Sequence, residues 1–516
     1  MTDAPPPPAA APAPWRLIVA WVAAATALRV AVLFLTPLEL YPDEAQYWAW
    51  SRHLAFGYFS KPPMIAWLIA ATTALGGDGE PWVRLSAPLL HGGAALLLAG
   101  AAGRLYDGRV AAWTAAIYTL MPGVQLSSGV IATDAPLLFF LSLALLAYAG
   151  WWRRPGLAAA AGFGAALGLA CLSKYAGLYA VLGAAAHALV DRRAREGWRG
   201  GRLALAAAAL LAVWSPNLVW NALHHFQTVA HTAADADWRE PGEAALGRGD
   251  RGFDPRGPGG FVLGQFGVFG PVPFLALLAG VAWLVVRRRR PAGADRLLLC
   301  FTAPALLIVL GEAAAARANA NWAAAAYPSG AVLAASWLCG GGAARRWRDA
   351  GLALQALAAA LFMVAAMRPS LADAVGLGGA FKRASGWAQT TGEVRDYVSA
   401  LKATGPVTAV AVDDRFLFNA LTYYGRGGLG APLRMWVHEA GPRNQAEAEH
   451  PLTPIDGGRV AFASLPWTRA AMRDFAQVSD VRQASARLDR RHVRAFTLFE
   501  GRGFRPVPRV PGRHDD

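Results

Sequence analysis

The sequence predicts a multi-pass transmembrane α-helical bundle of about 11 spans followed by a small C-terminal α/β domain. Of the 516 residues, 55% are hydrophobic and only 16% are charged. The apolar runs reach about 20 residues, which is the length that a helix needs to cross a bilayer. From about residue 375 the pattern changes to short alternating strands and helices, as in a small α/β domain.

The predicted spans alternate with loops of opposite charge character. They cover residues 17–38, 84–103, 110–126, 135–151, 156–172, 176–190, 203–220, 260–286, 297–311, 322–339 and 351–367. Every second loop is an arginine cluster, such as Arg287–Arg290, and the positive-inside rule makes those loops cytoplasmic. The N-terminus is then cytoplasmic, and the tail lies on the outside. The net charge of +15 is spread over these short clusters, which excludes a nucleic-acid-binding protein.

Three regions follow from this pattern. Residues 1–14 are rich in Pro and Ala and are predicted to be disordered. Residues 15–370 form the transmembrane domain, and residues 375–516 form the small domain. In that domain we expect strands at 407–412, 433–437, 459–463 and 493–499, and helices at 387–403, 415–424 and 467–475. The tail has no phosphate-binding glycine loop or nucleophile elbow, which favours a structural or substrate-presenting role.

The first loop outside the membrane, residues 39–84, is predicted to hold two interfacial helices. Its many aromatic side chains suit a membrane–water boundary, since such rings have an apolar body and a polar edge. Pro42 and Asp43, with Gln46 three residues on, resemble the capping box of a first helix. Lys61 stands before a double proline, and residues 64–75 form the second helix.

Candidate site residues gather in the loops assigned to the outside. They are Asp43, Glu44, Tyr58, Lys61, Asp134, Asn217, Asn221, His231, Arg317 and Asn321. Arg29 lies within the first span, where a buried charge is costly enough to suggest function, although snorkelling to the interface is the alternative. Helix capping is likewise the structural alternative for Asp43 and Asp134. His224, His225 and His231 leave a divalent metal open, but their spacing is weak, and no metal site or required cofactor is predicted.

These motifs resemble the polytopic glycosyltransferases of the GT-C class, and most closely the bacterial branch related to aminoarabinose transferases of lipid A and to protein O-mannosyltransferases. The resemblance rests on Pro42-Asp-Glu-Ala-Gln-Tyr-Trp48 and Gly57-Tyr-Phe-Ser-Lys-Pro-Pro63. Thr133-Asp-Ala-Pro136, Ser215–Asn221 with His231, and Ala320-Asn-Trp322 with Tyr327-Pro328 add weaker matches. The resemblance covers about residues 15–370.

The resemblance implies a sugar donor linked to polyprenyl phosphate, a lipid or protein acceptor, and inversion at the anomeric carbon. It also implies a place in the bacterial inner membrane, with the C-terminal domain in the periplasm. It places Asp43 at the catalytic acid position with Glu44 beside it, Lys61 at the donor phosphate, and Asp134 at the acid of the second outside loop. Arg29 and Arg317 are assigned to assist Lys61. Tyr58, Asn217, Asn221, His231 and Asn321 are assigned to the substrate loops.

One departure concerns the sugar. An acidic residue precedes the lysine in the aminoarabinose transferases, whereas Ser60 does so here, which argues for a different sugar or acceptor. A lipid-linked sugar transporter or flippase and a surface polysaccharide polymerase or ligase remain open as alternatives. A transporter would normally show related halves and broken helices near mid-membrane, and no internal repeat is evident.

Overall fold

A computed structural model describes residues 13–235, 256–291, 293–315, 318–438 and 441–507. Predictions for residues 1–12 and for Arg317 lie outside these ranges. The chain forms two compact units. The bundle unit comprises Met1–Phe34, Lys61–Ile65 and Arg84–Met363, and the tail unit comprises Leu35–Ser60, Ala66–Val83 and Val364–Asp516. The predicted domain boundary near residue 370 stays a prediction. Most of the first outside loop belongs to the tail unit and not to the bundle unit.

In the described ranges, the membrane part is built from helices joined by loops, as predicted. Helices α1 to α18 are Trp15–Leu35, Pro42–Ser51, Met64–Gly76, Glu80–Arg84, Ser86–Leu105, Gly108–Leu120, Pro122–Gly129, Asp134–Arg153, Leu157–Ser173, Leu178–Val190, Arg192–Gly197, Arg202–Leu223, Gln227–Asp235, Gly257–Val268, Pro271–Val286, Gly293–Ala315, Tyr327–Leu338 and Ala343–Met367. Short 3₁₀ turns lie at Tyr175–Gly177 and Ala320–Ala326. Both predicted interfacial helices are present, as α2 and α3.

Six helical segments in the described ranges are long and apolar enough to cross a membrane: Trp15–Leu35, Glu80–Leu105, Asp134–Arg153, Arg202–Leu223, Gly293–Ala315 and Ala343–Met367. Each of the 11 predicted spans coincides with one or two of helices α1 to α18. The helical fold class is therefore confirmed, while the number of crossings stays a prediction.

Two predicted spans are each broken into two helices. The span predicted at 110–126 breaks at Met121, whose ψ of 128° is not helical, before Pro122 opens α7. Proline disfavours a helical conformation in the residue before it and donates no backbone hydrogen bond. The span predicted at 260–286 breaks at Gly270, whose φ of 101° suits glycine. A Cβ atom there would also lie 2.0 Å from Nε2 of Gln355.

Small residues let the bundle helices approach closely. A Cβ atom on Gly164 of α9 would lie 1.9 Å from the carbonyl oxygen of Ala206 on α12. Such contacts between backbones are typical of membrane helices, where van der Waals packing drives association. Because α8 and α9 are joined by a short turn, they run antiparallel, and the start of α8 lies beside the end of α9.

The tail unit contains a five-stranded mixed sheet with the order β2-β1-β3-β5-β4. Strands β1 to β5 are Ala409–Val412, Leu433–Met435, Arg459–Ser464, Phe475–Arg487 and Val493–Phe504. Helices α19 to α23 are Pro369–Ala374, Trp387–Lys402, Arg415–Tyr424, Gln445–Glu449 and Thr468–Arg473. Strand β1 is parallel to β2 and β3, whereas β5 is antiparallel to β3 and β4. The four predicted strands and three predicted helices are present, and β4 was not predicted.

Candidate active site

The two adjacent acids of the first outside loop have different surroundings. Glu44 is 1% exposed, and its Oε2 accepts a hydrogen bond of 2.9 Å from the backbone N–H of Tyr41. Asp43 is exposed, one residue into α2. The predicted capping box of Asp43 and Gln46 is therefore wrong, because Pro42 occupies the first helical position and makes Glu44 the third. Glu44 stabilises the helix start and leaves Asp43 outside the cap.

Helix α2 is anchored within the tail unit by Asp78. One carboxylate oxygen of Asp78 accepts a 2.8 Å hydrogen bond from Nε1 of Trp48 and lies 3.2 Å from Nη1 of Arg52. The hydroxyl of Tyr423 on α21 donates to the backbone carbonyl of Asp78 at 2.5 Å. The rings of Trp48 and Tyr423 also meet edge to face at 5.0 Å. These contacts fix the helix that carries Asp43 to the small domain.

Tyr58 lies inside the packing of its own loop. Its ring stacks on Trp50 at 4.6 Å, and only 3% of the residue is exposed. Its hydroxyl lies 3.1 Å from the carbonyl oxygens of Trp50 and His53 and accepts from the N–H of Ala55. Burial raises the pKa of the Tyr58 phenol to about 12. In this structure Tyr58 shapes the loop, and its predicted contact with substrate stays a prediction.

Asp134, at the start of α8, forms an ion pair in the bundle unit. Its Oδ1 lies 2.8 Å from Nζ of Lys174, which follows the last residue of α9. Asn321 approaches the other oxygen at 3.5 Å. The side chains of Lys174 and Asp134 are 25% and 15% exposed. The pair is therefore partly shielded from water while one edge stays open.

Tyr175, which follows Lys174 in the chain, holds a second group of hydrogen bonds beside the ion pair of Asp134 and Lys174. The hydroxyl of Tyr175 donates to Oδ1 of Asn217 at 3.1 Å and accepts from Nδ2 of Asn221 at 3.0 Å. Both asparagines lie near the C-terminal end of α12 and are at most 1% exposed. The dipeptide Lys174-Tyr175 thus joins three predicted residues, Asp134, Asn217 and Asn221, into one polar cluster.

Lys174 and Tyr175 were not among the predicted site residues. A usable signal was present, because the sequence has lysine only at 61, 174, 382 and 402 and uses arginine elsewhere. Lys174 also lies in the loop at 173–175, on the side assigned to the outside. Its pairing with Asp134 follows from the antiparallel course of α8 and α9.

Arg29 is buried in the bundle unit, with 5% exposure. Its Nε donates to Oε1 of Gln125 at 3.1 Å, and its Nη2 donates to the carbonyl oxygen of Thr119. That carbonyl lies in the last turn of α6, beside the break at Met121. The guanidinium thus satisfies backbone that the break leaves unpaired, and its role at a donor phosphate stays a prediction.

The remaining predicted residues have separate positions. Lys61 is half-buried in the bundle unit directly before Pro62-Pro63, so its approach to Asp43 of the tail unit stays a prediction. His231 lies half-buried on α13, and His224 stacks on Trp220 at 4.0 Å. Within the described ranges, no group of three or more His, Cys, Asp or Glu side chains is arranged to hold a metal ion.

Comparison with known proteins gives relatives for both sequence and fold. Residues 60–220 match the family model described as dolichyl-phosphate-mannose-protein mannosyltransferase. The chain is 42% identical over 316 residues to the lipid A galacturonosyltransferase RgtD of Rhizobium johnstonii. That alignment spans 61% of this chain and 63% of the relative's length. The family match includes Lys61, Asp134 and Lys174, and ends before Asn221.

The fold comparison extends over nearly the whole chain. The crystal structure of ArnT from Cupriavidus metallidurans in the apo state superimposes with a TM-score of 0.62 and 17% identity, covering 96% of this chain and all of that one. The same protein bound to undecaprenyl phosphate gives the same TM-score over 93% of this chain and 98% of that one. The predicted resemblance is confirmed: the chain has the GT-C fold of ArnT, and its sequence is similar to the mannosyltransferase family model over residues 60–220 and to a lipid A galacturonosyltransferase. The chain is a multi-pass membrane protein.

Proposed function

We propose that the protein is an inverting glycosyltransferase that moves a sugar from a polyprenyl-phosphate donor to lipid A on the periplasmic face of the inner membrane. The observation that carries the proposal is the 42% identity to a lipid A galacturonosyltransferase. ArnT, which has the same fold, is known bound to undecaprenyl phosphate. These relatives favour a lipid-linked donor and a lipid A acceptor over a protein acceptor.

The same identity favours galacturonic acid as the transferred sugar. Galacturonic acid carries a carboxylate, whereas aminoarabinose carries an amine. An acidic side chain before Lys61 would attract an amine and repel a carboxylate. Ser60 at that position suits an anionic sugar, in agreement with the departure seen in the sequence.

The proposed chemistry divides among the residues by charge. The bond between the anomeric carbon and the phosphate oxygen breaks as an acceptor oxygen attacks from the opposite face of the sugar. Negative charge then grows on the leaving phosphate, and Lys61 is proposed to stabilise it there. Asp43 is proposed to accept the proton of an acceptor hydroxyl, since it lies outside the helix cap.

The Asp134 cluster is proposed to bind and orient substrate. Its carboxylate is held by Lys174 and Asn321, and the neighbouring amides of Asn217 and Asn221 are fixed by Tyr175. A preformed polar cluster suits sugar hydroxyls, because its groups need no reorganisation on binding. Arg29, Arg317, Tyr58 and His231 keep their predicted roles as part of the same proposal.

The test is the lipid A of cells that lack the protein, compared with cells that express it, analysed by mass spectrometry. We expect a hexuronic acid residue to be lost from lipid A and restored by the wild-type chain. Lys61→Ala should fail to restore it at equal membrane abundance. Lys402→Ala, which changes an exposed lysine of α20, is the matched control and should restore it fully.

Two results would contradict the proposal. If lipid A is unchanged and a sugar is lost from a membrane protein, the acceptor is a protein and not lipid A. If Lys61→Ala fully restores the hexuronic acid, Lys61 is not needed for the transfer step. That result would leave lipid A as the proposed acceptor.

A further inference from the structure

The segment after the last predicted span exposes several large apolar side chains. Helix α18 ends at Met367, and α19 begins two residues later. Leu371, Val375 and Leu377 are 54%, 72% and 64% exposed. These three apolar side chains lie within seven positions of the chain. Such a cluster indicates a surface that an apolar partner covers.

The turn between β4 and β5 packs against this segment and brings basic side chains to it. The backbone N–H of Arg490 donates to Oδ2 of Asp373 at 3.0 Å, and its Nε lies 3.6 Å from the same oxygen. Nη1 of Arg491 lies 3.8 Å from the position that a Cβ atom on Gly376 would take. The Arg491 guanidinium is thus beside the residue that separates Val375 from Leu377. We call residues 368–384 and 487–493 together the juxtamembrane surface.

The juxtamembrane surface has an excess of positive charge. Its exposed basic side chains are Arg368, Lys382, Arg383, Arg487, Arg490 and Arg491. Its two acids already have partners within it: Asp373 pairs with Arg490, and Asp489 lies 2.7 Å from Nδ1 of His492. The remaining guanidinium and ammonium groups therefore give this surface a net positive charge.

The chain keeps this surface close to the bilayer. Leu371 follows the end of α18 by four residues, and α19 rises by about 1.5 Å per residue. The polar headgroup region on each side of the hydrocarbon core is about 5–8 Å thick. If α18 spans the membrane, the exposed apolar side chains begin within or next to the headgroup region.

We propose that the juxtamembrane surface docks the tail unit onto the anionic phosphate headgroups of the bilayer. Apolar side chains interleaved with Lys and Arg are the composition of segments that lie in the membrane interface. Basic groups near an anionic lipid surface strengthen that attachment within a Debye length. The position directly after a span favours lipid over a soluble protein partner.

The proposal is tested with the full chain in nanodiscs of phosphatidylcholine alone or mixed with phosphatidylglycerol. The measurement is amide hydrogen exchange of residues 369–384 and 488–493. We expect several-fold slower exchange in the anionic discs, with the difference reduced by added salt. The double variant Lys382→Glu/Arg491→Glu should remove most of the difference, since each basic group contributes about five-fold to attachment.

Arg469→Glu, which reverses an exposed arginine of α23, is the matched control and should keep the wild-type difference. Exchange of strands β1 and β3 reports whether each variant remains folded. Equal exchange in both lipid compositions for the wild type would overturn the proposal. Slowing that appears only when lipid A is added would also overturn it, because the surface would then bind the acceptor rather than the bilayer.

Discussion

The two candidate acids, Asp43 and Asp134, are held in opposite ways. Asp43 is exposed on a helix anchored to the tail unit, and its carboxylate has no hydrogen bond or ion pair among the described residues. Asp134 is partly buried in the bundle unit, and both of its oxygens are engaged, by Lys174 and Asn321. A carboxylate with free lone pairs can accept a substrate proton directly. We therefore propose that Asp43 transfers the proton and that Asp134 positions the substrate.

The largest expected effect comes from Asp43→Asn. Losing the carboxylate should lower kcat by about 10²–10⁴-fold, the usual contribution of a general base, while KM for the lipid donor changes little. Glu44→Gln is the matched control, because an amide oxygen still accepts from the N–H of Tyr41. It should retain most of the activity. The measurement is the steady-state rate of sugar transfer by the purified protein. If both variants lose activity equally, the proposal that Asp43 and Glu44 have different roles is wrong.

A double-mutant cycle on Asp134 and Lys174 should give the next largest effect. Each single change, Asp134→Asn or Lys174→Met, leaves a partly buried partner and should lower kcat/KM by about 10–100-fold. Because the cluster is proposed to bind substrate, the double variant should be about as inactive as the worse single variant. Recovery of part of the loss in the double variant would mean that the pair only positions helices α8 and α9.

The smallest expected effect tests the anchoring of α2 by Asp78. Asp78→Ala removes the acceptor for Trp48 and the partner of Arg52, and should lower kcat by about ten-fold with little change in KM, since small misplacements of a reacting group reduce rates. Asp78→Asn keeps an acceptor for Trp48 and should lose less. Activity and the thermal unfolding midpoint are measured together. A fall in the midpoint without a fall in kcat would show that the anchor serves stability alone.

The fold was largely predictable because its signals are local. Apolar runs of helical length and charged loops between them mark the bundle, and all four predicted tail strands have β-branched or aromatic residues. Strand β4 was missed because its sequence, Phe475–Arg487, is polar and mostly exposed. It pairs with β5 on both sides of a register shift between Ser479 and Arg482. This pairing is a non-local property that the pattern of a single strand does not contain.

The candidate site was predictable in part. Asp134, Asn217, Asn221 and Asn321 were each selected as loop residues, and the structure brings them together in one unit. The dipeptide that joins them is Lys174-Tyr175, and its contacts depend on how α8, α9 and α12 pack. The scarcity of lysine was the only signal for it in the composition. Capping is done by Glu44 and not by Asp43 because the helix begins two residues earlier than predicted, with Tyr41 as its N-cap. The exact start is the least certain feature of any helix prediction.

Arg29 has a consequence for how the protein is made. Its partner Thr119 is synthesised 90 residues later. Until that carbonyl arrives, the guanidinium faces the insertion cost of an arginine in hydrocarbon, about 2.5–3.5 kcal/mol at a helix centre. The first segment of the chain therefore reaches its final stability only when the broken helix pair, α6 and α7, enters beside it. A single charge in this way makes the final stability of the first span depend on helices that are synthesised later.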